Sequence, residues 1–491
     1  MRAEVLSEPE LEFGGGGRHI DIRFGLTDYG PFDRLNDERP QRISLGVVGT
    51  PETTEAFHSW VETCRTNIAA KDSRLVHLFP AFPGFSAASP FASDLVTSDR
   101  LTAVIRANVL IELATSPDRR AIIDSAVDVF IAECKRLIES RHADVLICLP
   151  PAQLFDAMDP PPQAPRTWAR RPLASLEEAE DSPTIPPPVF HDVLKARAMQ
   201  LRVPIQMVRP ETYGAAGPRR QRQRPDRVRV LQDTATRAWN LYTAIYYKSG
   251  GTPWRLRRDT SALSACFVGI SFYKTVEGDR LMTSMAQVFN ELGDGVVVRG
   301  GAVRISKDDR QPHLTRDGCT DLLRAALAAY RAEHKSLPAR LVVHKTSVFN
   351  NAERQGVLDV TKAENVDWVD LVSLRKSRTR LLRYSPLPPL RGTFLTLDED
   401  LALLYTRGSV DFFKCYPGMY VPRPLEMRVH YAESSIRTLA AEILALTKMN
   451  WNNTQFDGGE PVTTRVARQV GDILRHTSDG DQIQARYSFY M

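Results

Sequence analysis

The stretch ADVLICLPP, residues 143–151, constrains the fold more than any other part of the chain. Val145 to Leu149 offer no polar position, so a strand here has no face to give to water, and two prolines stop it. A strand buried on both faces belongs to a parallel sheet with helices on both sides. RISLGVVG (42–49) reads as a second buried strand running into a turn. Between the two, RAIIDSAVDVFIAECKRLIESR (120–141) sets Ile123, Ala126, Val127, Phe130 and Ile131 at helical spacing. EAFHSWVETCRTNI (55–68) is helix-like as well. Strand, helix and strand in that order predict an α/β domain.

Farther along, residues 190–201 read as a helix and VPIQMVRP (203–210) as a strand. TRAWNLYTAIYYKSGG (236–251) is a helix that stops at Gly-Gly with Lys248 in its last turn. The pattern changes near 255–262. Three strand-like runs follow (264–275, 281–292, 296–305), with GDG at 293–295 as a hairpin turn. Then come an amphipathic helix (320–334) and a buried strand, RLVVHKTS (340–347). Three strands, a helix and a strand are the opening of a ribonuclease H-like sheet. Two more helices close the chain, at 434–449 and 463–476. The expected plan is an extended arm (1–40), an α/β domain (41–258) with a Pro-rich insertion at 156–189, and a second α/β domain (259–491).

With 491 residues, 43% hydrophobic and 25% charged, the chain has the composition of a globular protein of two or three domains. No apolar run is long enough to span a bilayer. The acidic, glycine-rich start lacks the basic head and apolar core of a secretory signal. Cys64, Cys134, Cys148, Cys266, Cys319 and Cys415 form no CxxC or Cys–His group, which argues against structural zinc and a disulfide framework and for a reducing cytosol. The net charge of +5 is small, but arginines cluster in GPRRQRQRPDRVRV (217–230) and SLRKSRTRLLRY (373–384). Each run is either a solvated surface or a contact to several phosphates.

FHDVLKARAMQLRVPIQ (190–206) puts His191 and Lys195 one helical turn apart and Gln206 at the start of the next strand. Together these three carry no acid, leaving open what they face.

The ordered set PELEFG and YGPFD in the arm (9–14, 29–33), HxxxK…Q (191, 195, 206), NLYTAIYYKSGGTPW (240–254), FVGISFYK (267–274), LVVHKTS (341–347), LLYTRG (403–408) and TKMNWNNTQF (447–456) resembles a short prokaryotic Argonaute. Such proteins join a Rossmann-like MID domain to a ribonuclease H-like PIWI domain. The resemblance implies that His191, Lys195, Gln206 and Lys248 surround the 5′-phosphate of a small guide RNA, and that the Met491 carboxylate reaches the same pocket and helps hold Mg²⁺. The donors suit a phosphate, for which lysine is a strong point charge. Ala244 stands where eukaryotic relatives carry a further lysine. Arg375, Arg378, Arg380, Arg383, Arg407 and Arg423 become candidates for nucleic-acid backbone contacts.

The family's slicing acids belong where Ser271, Thr346 and Arg468 stand, with Asp457 and Glu460 near the last position. Hydroxyls and a guanidinium are poor Mg²⁺ ligands, so the expectation is a binder that does not cut. By resemblance its target is single-stranded DNA from an invader. Its effector is a separate APAZ-domain protein with a sirtuin-like, TIR or nuclease module, in that order of expectation. The first two deplete NAD⁺ in an abortive-infection response. No glycine fingerprint for NAD is found in this chain, since GGGG (14–17) follows no strand. An active ribonuclease H-type nuclease and a metabolic α/β enzyme for a phosphorylated small molecule are the rival readings.

Overall fold

The computed structural model describes residues 2–158, 189–214, 232–257, 263–278, 280–289, 295–418, 421–454, 456, 458–478 and 480–491. Most of the Pro-rich segment, the arginine run 217–230, Asp457 and the first two residues of the GDG turn lie outside these.

The strand Val145–Leu149 lies at the centre of a sheet whose strands are all parallel. Across it run Asp94–Val96, Arg42–Gly49, Val145–Leu149 and Ile205–Met207, with Thr102–Val104 also paired to Arg42–Gly49. Its continuous apolarity has a direct cause. Val145, Ile147 and Leu149 point into one core with Leu45 and Val47. Leu146 and Cys148 point into another with Val48, packed against the helix Arg119–Ser140 through Ile123, Val127 and Phe130. Helices on both faces leave no side for water, as expected of a Rossmann-like layer.

The second sheet has ten strands. Its middle is ribonuclease H-like. Ala265–Lys274, Leu281–Phe289 and Gly295–Ile305 form an antiparallel meander, and Arg340–Lys345 joins parallel to Ala265–Lys274. Trp368–Lys376 continues parallel, then Leu425–Ala432, Leu401–Leu404 and Thr393–Thr396 extend the sheet antiparallel. Arg316–His334 and Asn351–Glu364 cover one face, and Ile436–Leu446 and Val462–Leu474 serve the other. At Gly269 an added Cβ would sit 2.1 Å from the Thr463 carbonyl oxygen, so glycine sets how closely the last helix approaches.

The N-terminal segment is more than an extended arm. Arg2–Val5 forms the edge strand of the large sheet beside Thr393–Thr396. Leu11–Glu12 pairs with Arg18–His19 and with Arg255–Leu256. Ile22–Tyr29 is a helix capped by Asp21, whose side chain accepts from the Arg23 and Phe24 amides. Leu6, Leu11, Phe13, Ile22 and Leu26 are buried, but their irregular spacing shows no period in the sequence. Glu8 fixes the segment: its carboxylate is 3.0 Å from Arg391 and 2.6 Å from Lys448, both buried. Lys448 also donates to the Pro9 and Ile20 carbonyls. The TKMNWNNTQF motif therefore clamps the segment to the C-terminal half.

Candidate functional site

Helix Phe190–Ala198, strand Ile205–Met207 and helix Thr234–Lys248 meet the C-terminal turn Tyr487–Phe489. The long helix is anchored by Trp239, Tyr242 and Tyr246, which pack against Phe82, Phe85 and Phe91. That packing carries Lys248 to the junction, where Gly250, at φ +100°, turns the chain away.

Lys195 and Lys248 are buried there, 1% and 4% exposed. The Lys195 ammonium donates to the Ile205 carbonyl oxygen at 2.5 Å. Lys248 donates to the same oxygen at 3.2 Å, to Met491 O at 2.8 Å and to Ser488 O at 3.4 Å. Neither forms an ion pair with an Asp or Glu side chain among the described residues; the acidic group in contact with Lys248 is the α-carboxylate of Met491. The contrast with the chain's other buried lysines is sharp. Lys345 lies 2.6 Å from Glu353, and Lys448 lies 2.6 Å from Glu8. Burying a charge is costly unless it is paired. The penalty pulls Lys195 down to about 8, and burial with the neighbouring Lys195 charge holds Lys248 well below its usual value. Two ammoniums share one carbonyl with only the Met491 α-carboxylate as counter-charge, an arrangement short of negative charge.

Gln206 donates to Met207 O at 3.1 Å, and its Oε1 is buried without a partner. His191 is at the rim, with Nδ1 2.8 Å from the Asp192 carboxylate. His191, Lys195 and Gln206 include no acid among themselves, but the neighbouring Asp192 orients the ring. Burial lowers the His191 pKa despite that pair, and the charges of Lys195 and Lys248 press the same way. Ala244, one turn before Lys248, is fully buried and brings no further charge. Met491 is 2% exposed. As Mg²⁺ donors the site offers the Met491 carboxylate, whose O already accepts from Lys248, the unpartnered Oε1 of Gln206, and carbonyls already occupied by ammoniums. No cluster of three or more His, Cys, Asp or Glu suited to a metal occurs among the described residues. The residues present do not fit a resident divalent ion.

Ser271, Thr346 and Arg468 come together in the other half. Ser271 is opposite Ser284 in register, and Ser284 Oγ donates to Ala467 O at 2.7 Å, next to Arg468. The Thr346 amide donates to Ile270 O at 3.2 Å. Glu460, the one described acid placed here, pairs with Arg468 and lies 3.5 Å from Lys376.

The six candidate arginines divide. Arg375 pairs with Glu426 at 2.8 Å, and Arg380 turns back on the carbonyls of Arg378 and Thr379, so their donors serve the fold first. Arg383 spends Nε on Leu387 O. The Arg407 guanidinium packs over Gly459. Arg378 and Arg423 keep contacts of their own. Sequence reasoning missed the carbonyls of Ile205 and Ser488, which carry no residue signature. It also missed a 480 Å³ cleft lined by Arg120, Arg197, Arg280, Arg299 and Arg475 from five separate segments.

No protein-family model and no curated protein sequence matches the chain. Solved structures do. Clostridium butyricum Argonaute, bound to a guide DNA and a 19-mer target DNA, superimposes with a TM-score of 0.64 at 14% identity, over 98% of this chain and 53% of that one. A. aeolicus Argonaute gives 0.58 at 13% identity, over 99% and 55%. Drosophila Piwi gives 0.57 at 14%, over 99% and 56%. The chain spans about half the length of these structures. The α/β layer, the ribonuclease H-like sheet and these superpositions agree: the chain has an Argonaute fold.

Proposed function

We propose that this chain is a short Argonaute, MID (41–258) followed by PIWI (259–491), which holds a small guide RNA by its 5′-phosphate and uses it to recognise single-stranded DNA. The observation that carries the proposal is the pair of buried ammoniums of Lys195 and Lys248, which have no Asp or Glu partner among the described residues. A terminal phosphate supplies the missing negative charge. Gln206 can meet its oxygens through the Nε2 amide, which in this structure donates to Met207 O, and His191, held by Asp192, borders it. Base pairing then reads the sequence while the protein reads backbone and shape, a division of labour used by other guided systems. A Mg²⁺ would enter only as a companion of the phosphate, where the Met491 carboxylate would help hold it.

The chain binds without cutting. Ser271 and Thr346 lack carboxylates, and Arg468 occupies Glu460 and would repel a cation. Damage to the invaded cell falls to a separate APAZ-domain effector, sirtuin-like or TIR, that depletes NAD⁺ once a target is bound. Purifying the chain from its host and end-labelling the co-purified material tests the proposal. Short RNAs with a 5′-phosphate are the expected result. Protein free of nucleic acid that also fails to bind 5′-phosphorylated oligonucleotides refutes it.

A further inference from the structure

The loop after strand Trp368–Lys376 carries two large apolar side chains into solvent. Leu382 is 92% exposed and Tyr384 entirely so. The loop itself is tied down. The Ser377 amide donates to Pro424 O at 3.0 Å, the Leu381 amide to the Tyr405 hydroxyl at 2.8 Å, and Ser409 Oγ to Pro388 O at 2.8 Å. Arg380 and Arg383 brace its backbone from within. Tyr384 is therefore presented, not frayed.

Its surroundings say what it is presented to. No acid occurs from residue 371 to 397, a span that holds Arg375, Lys376, Arg378, Arg380, Arg383 and Arg391. Lys376, where the loop begins, pairs with Glu460, which pairs with Arg468 of the degenerate slicing position. The tip thus belongs to the face where a strand would lie. Arg375, Lys376 and Arg391 are paired with Glu426, Glu460 and Glu8 from other segments, but Arg378 and Arg383 are exposed on the loop that carries the ring. An exposed aromatic ring beside exposed arginines is the chemistry of single-stranded nucleic-acid binding: phosphates meet the charges and an unpaired base meets the ring.

We propose that Tyr384 is a stacking platform for an unpaired base of single-stranded nucleic acid, with Leu382 beside it as an apolar support. This rests on the reading that the C-terminal half receives a nucleic acid, and the test separates the two. Full-length wild type, Tyr384→Phe and Tyr384→Ala are titrated with a 5′-phosphorylated single-stranded oligonucleotide. Wild type is also photocrosslinked to 5-iodouracil-substituted strands, with the crosslink mapped by mass spectrometry. Stacking is expected to make Tyr384→Ala bind about 5- to 150-fold more weakly, with Tyr384→Phe within about threefold of wild type and a crosslink at Tyr384. Wild type that binds tightly with equal affinity in Tyr384→Ala and no crosslink overturns this inference alone. So does a Tyr384→Ala defect confined to binding a protein partner. Wild type that binds no oligonucleotide overturns the functional reading too.

Discussion

Replacing Lys195 by methionine separates a lysine held for a ligand from a lysine held for the fold. A lysine drawn from 10.5 to about 8 keeps its proton at a cost on the order of 3 kcal/mol, since each pH unit is about 1.36 kcal/mol. The substitution removes that cost and one hydrogen bond. Ile205 O is not orphaned, because Lys248 still donates to it at 3.2 Å. Lys195→Met is therefore expected to match or exceed wild type in urea unfolding at neutral pH. Lys345→Met is the control: it strips the buried Glu353 of its 2.6 Å partner and is expected to lose about 3–5 kcal/mol. The sign with pH is fixed as well. The folded pKa lies below the unfolded one, so between about pH 8 and 10.5 the unfolded chain binds more protons. Wild type then gains stability relative to Lys195→Met as pH rises through that window. Binding moves the other way. Losing a charged donor to phosphate costs about 1.5–3 kcal/mol, so the preference for a 5′-phosphate over a 5′-hydroxyl strand is expected to fall about 10- to 150-fold. In wild type that preference weakens above about pH 8. A Lys195→Met variant that unfolds as easily as Lys345→Met and keeps its 5′-phosphate preference refutes the reasoning.

Glu8→Gln leaves Arg391 and Lys448 buried without their carboxylate, and is expected to cost about 3–5 kcal/mol and open the N-terminal segment to limited proteolysis. Because its partners hold Glu8 below the usual carboxylate range, its contribution is present at neutral pH and lost as acid protonates it, so the Glu8→Gln deficit should shrink in acid-unfolding curves. Gly269→Ala drives a methyl group into Thr463 O and should lower the melting temperature by several degrees, whereas Gly301→Ala, with open space around it, should leave it nearly unchanged. Loaded protein is expected to leave a complementary labelled DNA intact in Mg²⁺ or Mn²⁺, and chelator-sensitive cleavage on a gel would reverse the reading of Ser271, Thr346 and Arg468.

Legibility differed by element. Val145–Leu149 and the helix Arg119–Ser140 announced themselves because their burial is one- or two-faced and regular. Helix Asn351–Glu364 and strands Trp368–Lys376, Thr393–Thr396 and Leu401–Leu404 passed unread. Arg2–Val5, mostly exposed at the sheet edge, carries no hydrophobic period to read. Of the pocket, the spacing of His191, Lys195, Gln206 and Lys248 was visible, but the Asp192 contact of His191 was not. Arg375 and Arg380 looked available and are engaged, because an ion pair with Glu426 and a turn onto their own loop depend on chain path, not on residue type.

Composition and periodicity determined the two α/β halves, their order and the cations that could meet a phosphate, since these follow from which side chains avoid water and which carry charge. Only the tertiary structure decided that Lys195 and Lys248 lie buried on one carbonyl without an Asp or Glu partner among the described residues while Lys345 and Lys448 each have one. Whether a buried charge is paired depends on distances between residues tens to hundreds of positions apart, and no local pattern in the sequence encodes those.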